Sequence, residues 1–355
     1  MVAGPASQVI KIAGRPVGPG HPCLIIAEAG VNHNGDMELA IQLVRAAVAA
    51  GADAVKFQSY KTDLLVTPDA AKADYQKRTT DASESQYQML QRLELSPEMH
   101  RRLIDLCEEQ GIIFLSSPFD HASVELLNEL QIPAFKIPSG EITNLPLLAQ
   151  VAEKGRPMIV STGMAHLGEV ETAVQSIIAA GNRDYILLQC TSNYPAATED
   201  VNLRAMNTMA EAFGSLVGYS DHTLGIEIPL AAVAMGASVI EKHITLDVNM
   251  PGPDHAASLP PEEFASMVRG VRAVESAVGH GRKEPAEREL ATAEVARKSL
   301  VAARDIAGGE TLTEQLMDLK RPGSGLSPAM RAELAGRTVK TPIKMGALIT
   351  LDMLE

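Results

Sequence analysis

The sequence has no apolar run long enough to cross a bilayer. Its longest nearly uninterrupted one, residues 228–240, falls short of the roughly 20 residues that a membrane helix needs. Residues 1–20 hold no apolar core, so no secretory leader is expected there. Positive charge is in deficit: 31 Lys and Arg against 44 Asp and Glu leave a formal net charge of −13. That argues against nucleic acid and against an anionic membrane surface as partners. Cysteine is scarce. Cys23, Cys107 and Cys190 are far apart and odd in number, which excludes a disulfide framework and a CxxC metal site. A reducing, cytoplasmic setting is the expectation. No GxGxxG follows the first apolar run, and neither GxxxxGK[ST] nor GxSxG occurs, which removes the common dinucleotide, P-loop and nucleophile-elbow readings.

What remains is an ordinary globular composition, 46 % hydrophobic and 21 % charged over 355 residues, enough for a large core and about two domains. Short β-branched runs predict strands at 23–27, 54–58, 112–116, 134–137, 158–162, 186–190, 216–219 and 239–243. Between them, apolar spacing near 3.6 predicts helices at 37–50, 97–110, 145–153, 169–180 and 226–235, with a last one at 261–278. Eight strands alternating with helices predict a (β/α)8 TIM barrel over residues 1–280. The charged, alanine-rich stretch 281–297 reads as a linker. Residues 298–355 lose the β/α rhythm and predict a small, mainly-β second domain, with short strands at 299–304, 337–341 and 347–350.

In such barrels the active site lies at the C-terminal ends of the strands, and polar residues collect there. In chain order the strands deliver Glu28, then Lys56 and Gln58, Ser116 and Ser117, Lys136 with Ser139 and Glu141, Ser161 and Thr162. The later strands deliver Thr191, Ser192 and Tyr194, then Asp221 and His222, and finally Glu241 and His243. The period of two puts Lys56 with Gln58 on one face, and Glu241 with His243 on another. Lys56 and Lys136 stand in apolar strands, where an unpaired ammonium is costly. They are either internal salt bridges, for instance with Glu28 and Glu241, or a cationic pocket for carboxylate and phosphate. Ser139-Gly140 and Ser161-Thr162-Gly163 would let backbone N–H groups approach an anion.

His222 and His243 end adjacent strands, a pattern that suits Mn, Fe, Co or Zn. His33 is either a third polar group or a loop residue. His21, His100, His121, His166 and His280 are expected at the surface, and all three cysteines as small buried hydrophobes.

These residues, in this order, resemble the sialic acid synthase family. The matching segments are Ala27-Glu28-Ala29-Gly30-Val31-Asn32-His33-Asn34-Gly35, Val55-Lys56-Phe57-Gln58, Ser117-Pro118-Phe119-Asp120, Phe135-Lys136-Ile137-Pro138-Ser139-Gly140-Glu141 and Ser161-Thr162-Gly163-Met164. They continue with Cys190-Thr191-Ser192-Asn193-Tyr194-Pro195, Gly218-Tyr219-Ser220-Asp221-His222-Thr223, Glu241-Lys242-His243-Ile244-Thr245, Gly252-Pro253-Asp254-His255 and Lys320-Arg321-Pro322-Gly323-Ser324-Gly325.

The resemblance implies that phosphoenolpyruvate, an open-chain N-acetylmannosamine-type aldehyde and water give N-acetylneuraminate and phosphate. Its alternative acceptor is a 2,4-diacetamido-2,4,6-trideoxy hexose, giving legionaminate or pseudaminate. A divalent metal, Mn2+ before Mg2+ or Co2+, would sit on His222 and His243. Lys56, Lys136, Ser139 and Ser161 match positions that hold phosphoenolpyruvate. Glu28, Gln58, Glu141, Tyr194, Glu241 and Asp254 match positions near the sugar or its water. Thr162, Thr191 and Ser192 belong to the same substrate-binding motifs. The tail resembles an antifreeze-like (SAF) domain that reaches over the partner subunit's barrel in a homodimer, with Arg321 on the sugar's acyl group. Some members that make N-acetylneuraminate have Asn in place of Ser192, whereas siblings making legionaminate- or pseudaminate-type sugars often have Ser. The rival readings are an aldolase using free pyruvate and a non-enzymatic ice-binding module.

Overall fold

The structure, a computed structural model, describes residues 8–81 and 83–355. Two compact units divide the chain, the first ending at Gly279 and the second running from His280 to Glu355.

The first unit opens with a hairpin, β1 (Ile10–Ile12) and β2 (Arg15–Val17). Its two-residue turn, Ala13-Gly14, has φ of 50° and 78°, the pair of positive values whose twist matches the flanking strands. This hairpin was not foreseen. Eight parallel strands follow: β3 (Leu24–Gly30), β4 (Ala54–Ser59), β5 (Ile113–Pro118), β6 (Phe135–Ile137), β7 (Met158–Ser161), β8 (Tyr185–Cys190), β9 (Leu216–Asp221) and β10 (Val239–His243). They close in the order β10-β3-β4-β5-β6-β7-β8-β9, so the TIM barrel read from the sequence is present. Each predicted strand and helix of this unit has a counterpart. Helices at His121–Glu129 and Arg204–Phe213 complete the alternation.

The alternation of side chains divides the core in two. Leu24, Ile26, Ala54, Leu115, Ile159, Leu188 and Val239 point inward and pack with Ile10, Ile12 and Val17 of the hairpin. The hairpin thus closes the N-terminal end of the barrel. The intervening residues, such as Ile25, Val55, Phe57, Phe135 and Ile240, face the helices. Lys242, next to Ile240 in this alternation, also points outward. Its ammonium is fully buried on the Asp221 carboxylate and the Thr223 carbonyl (2.7 Å). Asp221 Oδ1 also accepts from Tyr219 Oη at 2.8 Å and from the Thr223 amide at 2.9 Å. Lys242 and Asp221 therefore form a closed ion pair behind β9 and β10 and do not line the barrel mouth.

His100 is a correction to the sequence reading. It is buried, with Nε2 2.6 Å from Ser59 Oγ, because it shares a helix face with buried Leu103 and Cys107. His33 is buried as well, its Nδ1 accepting from the Gly35 amide at 3.0 Å.

In the second unit β11 (Ser299–Ala302) pairs antiparallel with β12 (Met317–Lys320) over a separate core that includes Leu300, Ile306, Leu312, Leu334 and Ile349. β12 was not expected. The stretches 337–341 and 347–350 carry only isolated bridges. Residues 281–297 include a short helix, Leu290–Ala296.

Two tests follow from this packing. Burial pulls His33 and His255 down to about 4. The folded protein therefore refuses protons that the unfolded chain takes up near pH 6.5, and stability is lost as pH falls through that window. Urea midpoints should drop between pH 7 and pH 5, with His33 alone responsible for about 2 kcal/mol; a flat profile contradicts this. Lys242→Met strands the Asp221 carboxylate and should destabilise by roughly 3–5 kcal/mol. The double variant Lys242→Met, Asp221→Asn should recover most of that loss in the same denaturation experiment.

Candidate active site

Strand register brings the polar side chains to one level. His243 lies beside Glu28 in the β10–β3 ladder, Glu28 beside Lys56 in β3–β4, Glu241 beside Ser220 in β10–β9, and Ser220 beside Cys190 in β9–β8. All belong to the inward-facing sets above the apolar layer, Glu241 one step and His243 two steps beyond Val239.

They surround a cavity of about 370 Å³ at the C-terminal mouth, lined among others by Glu28, Lys56, Gln58, Ser117, Lys136, Ser139, Ser192, Tyr194, His222, Glu241, His243 and Asp254. A register shift between Glu28 and Gly30 kinks β3 there, as bulges beside sites do. Gly30 has φ +52°, and a Cβ on it would come within 3.0 Å of Glu28 Oε1 and 3.5 Å of His243. Only glycine accepts both the backbone and the crowding.

The floor is a quartet of alternating charges. Lys56 pairs with Glu28 and lies 3.8 Å from Glu241, while Lys136 lies 3.0 Å from Glu241. Lys56 also donates to Ser117 Oγ at 3.0 Å, and Ser220 Oγ donates to Glu241 at 3.1 Å. Burial pushes Glu28 above the ordinary carboxyl value against the pull of Lys56. Burial also disfavours charge on Glu241, but Lys136 and Lys56 outweigh it and hold that carboxyl low. Asp254 has weaker support, and burial, reinforced by Glu28, pushes it up to about 7.

The two imidazoles stand with ring centroids 5.4 Å apart, and the Tyr194 ring touches both, at 4.1 Å from His222 and 5.8 Å from His243. His222 Nδ1 donates to the Thr191 carbonyl at 2.7 Å, which leaves Nε2 with its lone pair free to bind a metal. His243 is held well below its ordinary value by burial and by the neighbouring imidazole and ammonium groups. Its Nδ1 is buried with no partner. Burial works against charge on His222, but Cys190 and the Thr191 carbonyl outweigh it and hold that imidazole above its ordinary value, so an ion there would displace a proton, whereas the orphaned ring nitrogen of His243 is ready to bind one of borderline softness. Among the described residues no cluster of three His, Cys, Asp or Glu forms a cage. An ion here would take two protein ligands and complete its shell with water and substrate oxygens.

Several predicted site residues fall elsewhere. Thr162 is buried, and its hydroxyl donates to the Leu188 carbonyl at 2.9 Å behind the strand. Thr191 sends its hydroxyl to the Asp200 carbonyl at 3.3 Å, so only its own carbonyl serves the site. Glu141 accepts from Asn144 at 2.7 Å within its own turn, outside the cavity lining. Ser161 Oγ is buried without a partner at the end of β7. Ser139 Oγ instead accepts from the Gly163 amide at 3.0 Å, so that amide is not free for an anion. A Cβ on Gly163 would reach 2.8 Å from Ser139 Oγ, which explains the glycine. Arg321 belongs to the second unit, where its Nε donates to the Ala296 carbonyl at 3.0 Å.

Ser117 and Ser220, placed at the barrel rim by the sequence but not counted among its site residues, line the cavity, and so does Cys190, which was read only as a small buried hydrophobe. The sequence reading also passed over residues 60–96, which supply Tyr60, Leu65, Gln76, Gln86, Met89 and Leu90 to the lining. The signal was available in the length of that connection, since long structureless-looking βα loops are usually functional.

Comparison with known proteins gives the family. The NeuB family matches residues 43–283 and the SAF domain matches residues 297–355. The chain is 47 % identical to the N,N'-diacetyllegionaminic acid synthase of Legionella pneumophila over 97 % of its own length and 98 % of that protein's. It is 49 % identical to the Campylobacter jejuni protein of the same name over 92 % and 98 %. The solved structure of the N-acetylneuraminic acid (sialic acid) synthetase of Leptospira borgpetersenii superposes with a TM-score of 0.71 at 35 % identity, covering 81 % of this chain and 95 % of that one. The chain therefore belongs to the NeuB family and is an enzyme of the sialic-acid-synthase type with a SAF domain at its C-terminus.

Proposed function

We propose that the enzyme condenses phosphoenolpyruvate with the open-chain aldehyde of an N-acylated amino sugar and water, giving a nonulosonic acid and inorganic phosphate. The observation that carries this reading is the convergence of two buried lysines, two imidazoles and three carboxylates in one cavity. The ammonium groups of Lys56 and Lys136 suit a carboxylate and a phosphate, and Ser139 adds a nearby hydroxyl. In the reaction the methylene carbon of phosphoenolpyruvate bonds to the aldehyde carbon. Water adds at the enol carbon, and the C–O bond to phosphate then breaks.

Glu28 and Glu241 lie where positive charge would develop at the enol carbon and can stabilise it. Asp254, poised near neutrality, can exchange the proton that water gives up and the leaving or aldehyde oxygen takes. Gln58, whose amide lies 3.4 Å from Glu28, and Tyr194 orient the sugar. His222 and His243 would hold the divalent ion, for which manganese is our choice. What a bound ion supplies there is Lewis-acid polarisation of the aldehyde carbonyl.

For the acceptor we favour a 2,4-diacetamido-2,4,6-trideoxy hexose, giving a legionaminate-type product. The support is the 47 % and 49 % identity to two proteins named for that product and Ser192 in the cavity lining, where the resemblance associates Ser with such sugars. N-acetylmannosamine, giving N-acetylneuraminate, is the second reading, supported by the name of the Leptospira structure. By the same resemblance we assign a cytoplasmic homodimer in which the SAF domain reaches the partner's barrel and brings Arg321 to the acyl group.

Phosphate release with manganese should be detected when phosphoenolpyruvate is offered with a panel of these aldehydes, fastest with the trideoxy sugar. Release with none of them, or product formed from free pyruvate, rejects the reading. His243→Ala should abolish metal-dependent turnover while leaving the melting transition of a folded protein. Full activity in that variant rejects the ligand assignment.

A further inference from the structure

Asp254 lines the cavity and is buried, yet among the described residues its carboxylate makes no hydrogen bond or ion pair. Its place therefore depends on its backbone. It stands just before the short turn His255–Ala257. Its own carbonyl is held twice, by the Ala257 amide at 3.1 Å and by the Ser258 hydroxyl at 2.7 Å.

The Ser258 hydroxyl can give its proton to Asp254 because it receives another. Asn32 Nδ2 donates to Ser258 Oγ at 2.9 Å and to the Ile244 carbonyl at 2.9 Å. A carbonyl only accepts, so the Ile244 contact fixes which way the Asn32 amide points. That orientation has a cost at the other end, where Asn32 Oδ1 is buried with no partner. Ile244 directly follows His243, and its amide donates to the Glu28 carbonyl at 2.9 Å. The Asn32 amide donates to the Ala29 carbonyl at 2.9 Å, one residue past Glu28. One buried carboxamide thus ties the backbone of Asp254 to the ends of the strands that carry Glu28 and His243. Asn32 and Ser258 are both buried, and neither lines the cavity.

Resting on the condensation reading above, we infer that Asn32 and Ser258 are positioning residues, which hold the Asp254 carboxylate in register with Glu28 and His243 without touching substrate. A carboxylate with no partner of its own keeps one position only if its backbone is fixed, and proton exchange with a bound reactant needs that fixed geometry. A misplacement of about 1 Å can cost on the order of 100-fold in rate. Reversing one hydrogen bond is enough to release it. A carboxylate in place of the Asn32 amide would take the Ser258 proton and free the Asp254 carbonyl.

Ser258→Ala should lower kcat by on the order of 100-fold, with KM for phosphoenolpyruvate unmoved. Ser258→Thr, which keeps the hydroxyl, should restore most of that loss, and Asn32→Asp should behave as Ser258→Ala does. In an Asp254→Asn background Ser258→Ala should cost little more, because groups that act as a unit are not additive. A lower melting temperature with kcat unchanged, or losses from Ser258→Ala and Asp254→Asn that multiply, overturns the positioning. A crystal structure of Ser258→Ala reads the same point without turnover. Asp254 displaced, with no phosphate released by the unaltered enzyme, upholds the positioning and overturns the condensation. Asp254 in place, with phosphate released by the unaltered enzyme, upholds the condensation and overturns the positioning.

Discussion

The buried quartet of Lys56, Glu28, Lys136 and Glu241 is the constraint around which the barrel mouth is built. Any one of these charges alone in the barrel would be driven toward its neutral form. Lys56 sits between Glu28 and Glu241, Lys136 pairs with Glu241, and Ser117 and Ser220 add hydrogen bonds, while Glu241 Oε2 is buried without a partner. Such a network is held by geometry more than by favourable energy, since desolvation offsets much of the attraction. That geometry comes from the ladder register, which sets Glu28 beside Lys56 and His243 beside Glu28. The apolar layer beneath, closed by the N-terminal hairpin, keeps water from reaching the charges from below.

The quartet is neutral as a whole, which bears on how it would receive an anion. A carboxylate or phosphate arriving at Lys56 and Lys136 competes with Glu28 and Glu241 for the same ammonium groups. The carboxyl that burial already pushes up, Glu28, is the one that can take a proton when its partner is shared. Asp254, near neutrality and coupled to Glu28 through space, offers a second place for that proton. Proton relocation and substrate binding would thus be linked at the same face of the cavity. His243 stays neutral because burial, with the imidazole and ammonium groups beside it, opposes a further positive charge.

The barrel was legible because its strands are short β-branched runs with polar residues only at one end. The alternation within β4 and β10 told which side chains turn inward, and Lys56, Gln58, Glu241 and His243 do line the cavity. The same rule explains two misplacements. Thr162 follows Ser161, and Thr191 follows Cys190, so neither can share its neighbour's face while the extended backbone continues. Their motifs read as units, but alternate residues serve the strand's other side. His100 was misjudged because a polar residue type was weighed above its position, three and seven places before Leu103 and Cys107 on one helix face. The hairpin at residues 10–17 was not legible, because it depends on contacts with strands distant in sequence, and the lining supplied by residues 60–96 was signalled only by the length of that connection.

This division has a chemical counterpart. The strand ends supply ammonium, carboxylate and imidazole groups held to a common level by hydrogen-bonded ladders, and such groups suit the steps that any acceptor sugar would share. The segment between β4 and its helix instead rests on a satellite cluster of apolar side chains, which can change shape or polarity without disturbing the ladder. Loops mounted on a rigid scaffold vary in this way without disturbing what they are mounted on. The barrel thus supplies the groups that the condensation needs, while the loops at its mouth, among them the one bearing Ser192, can vary with the sugar.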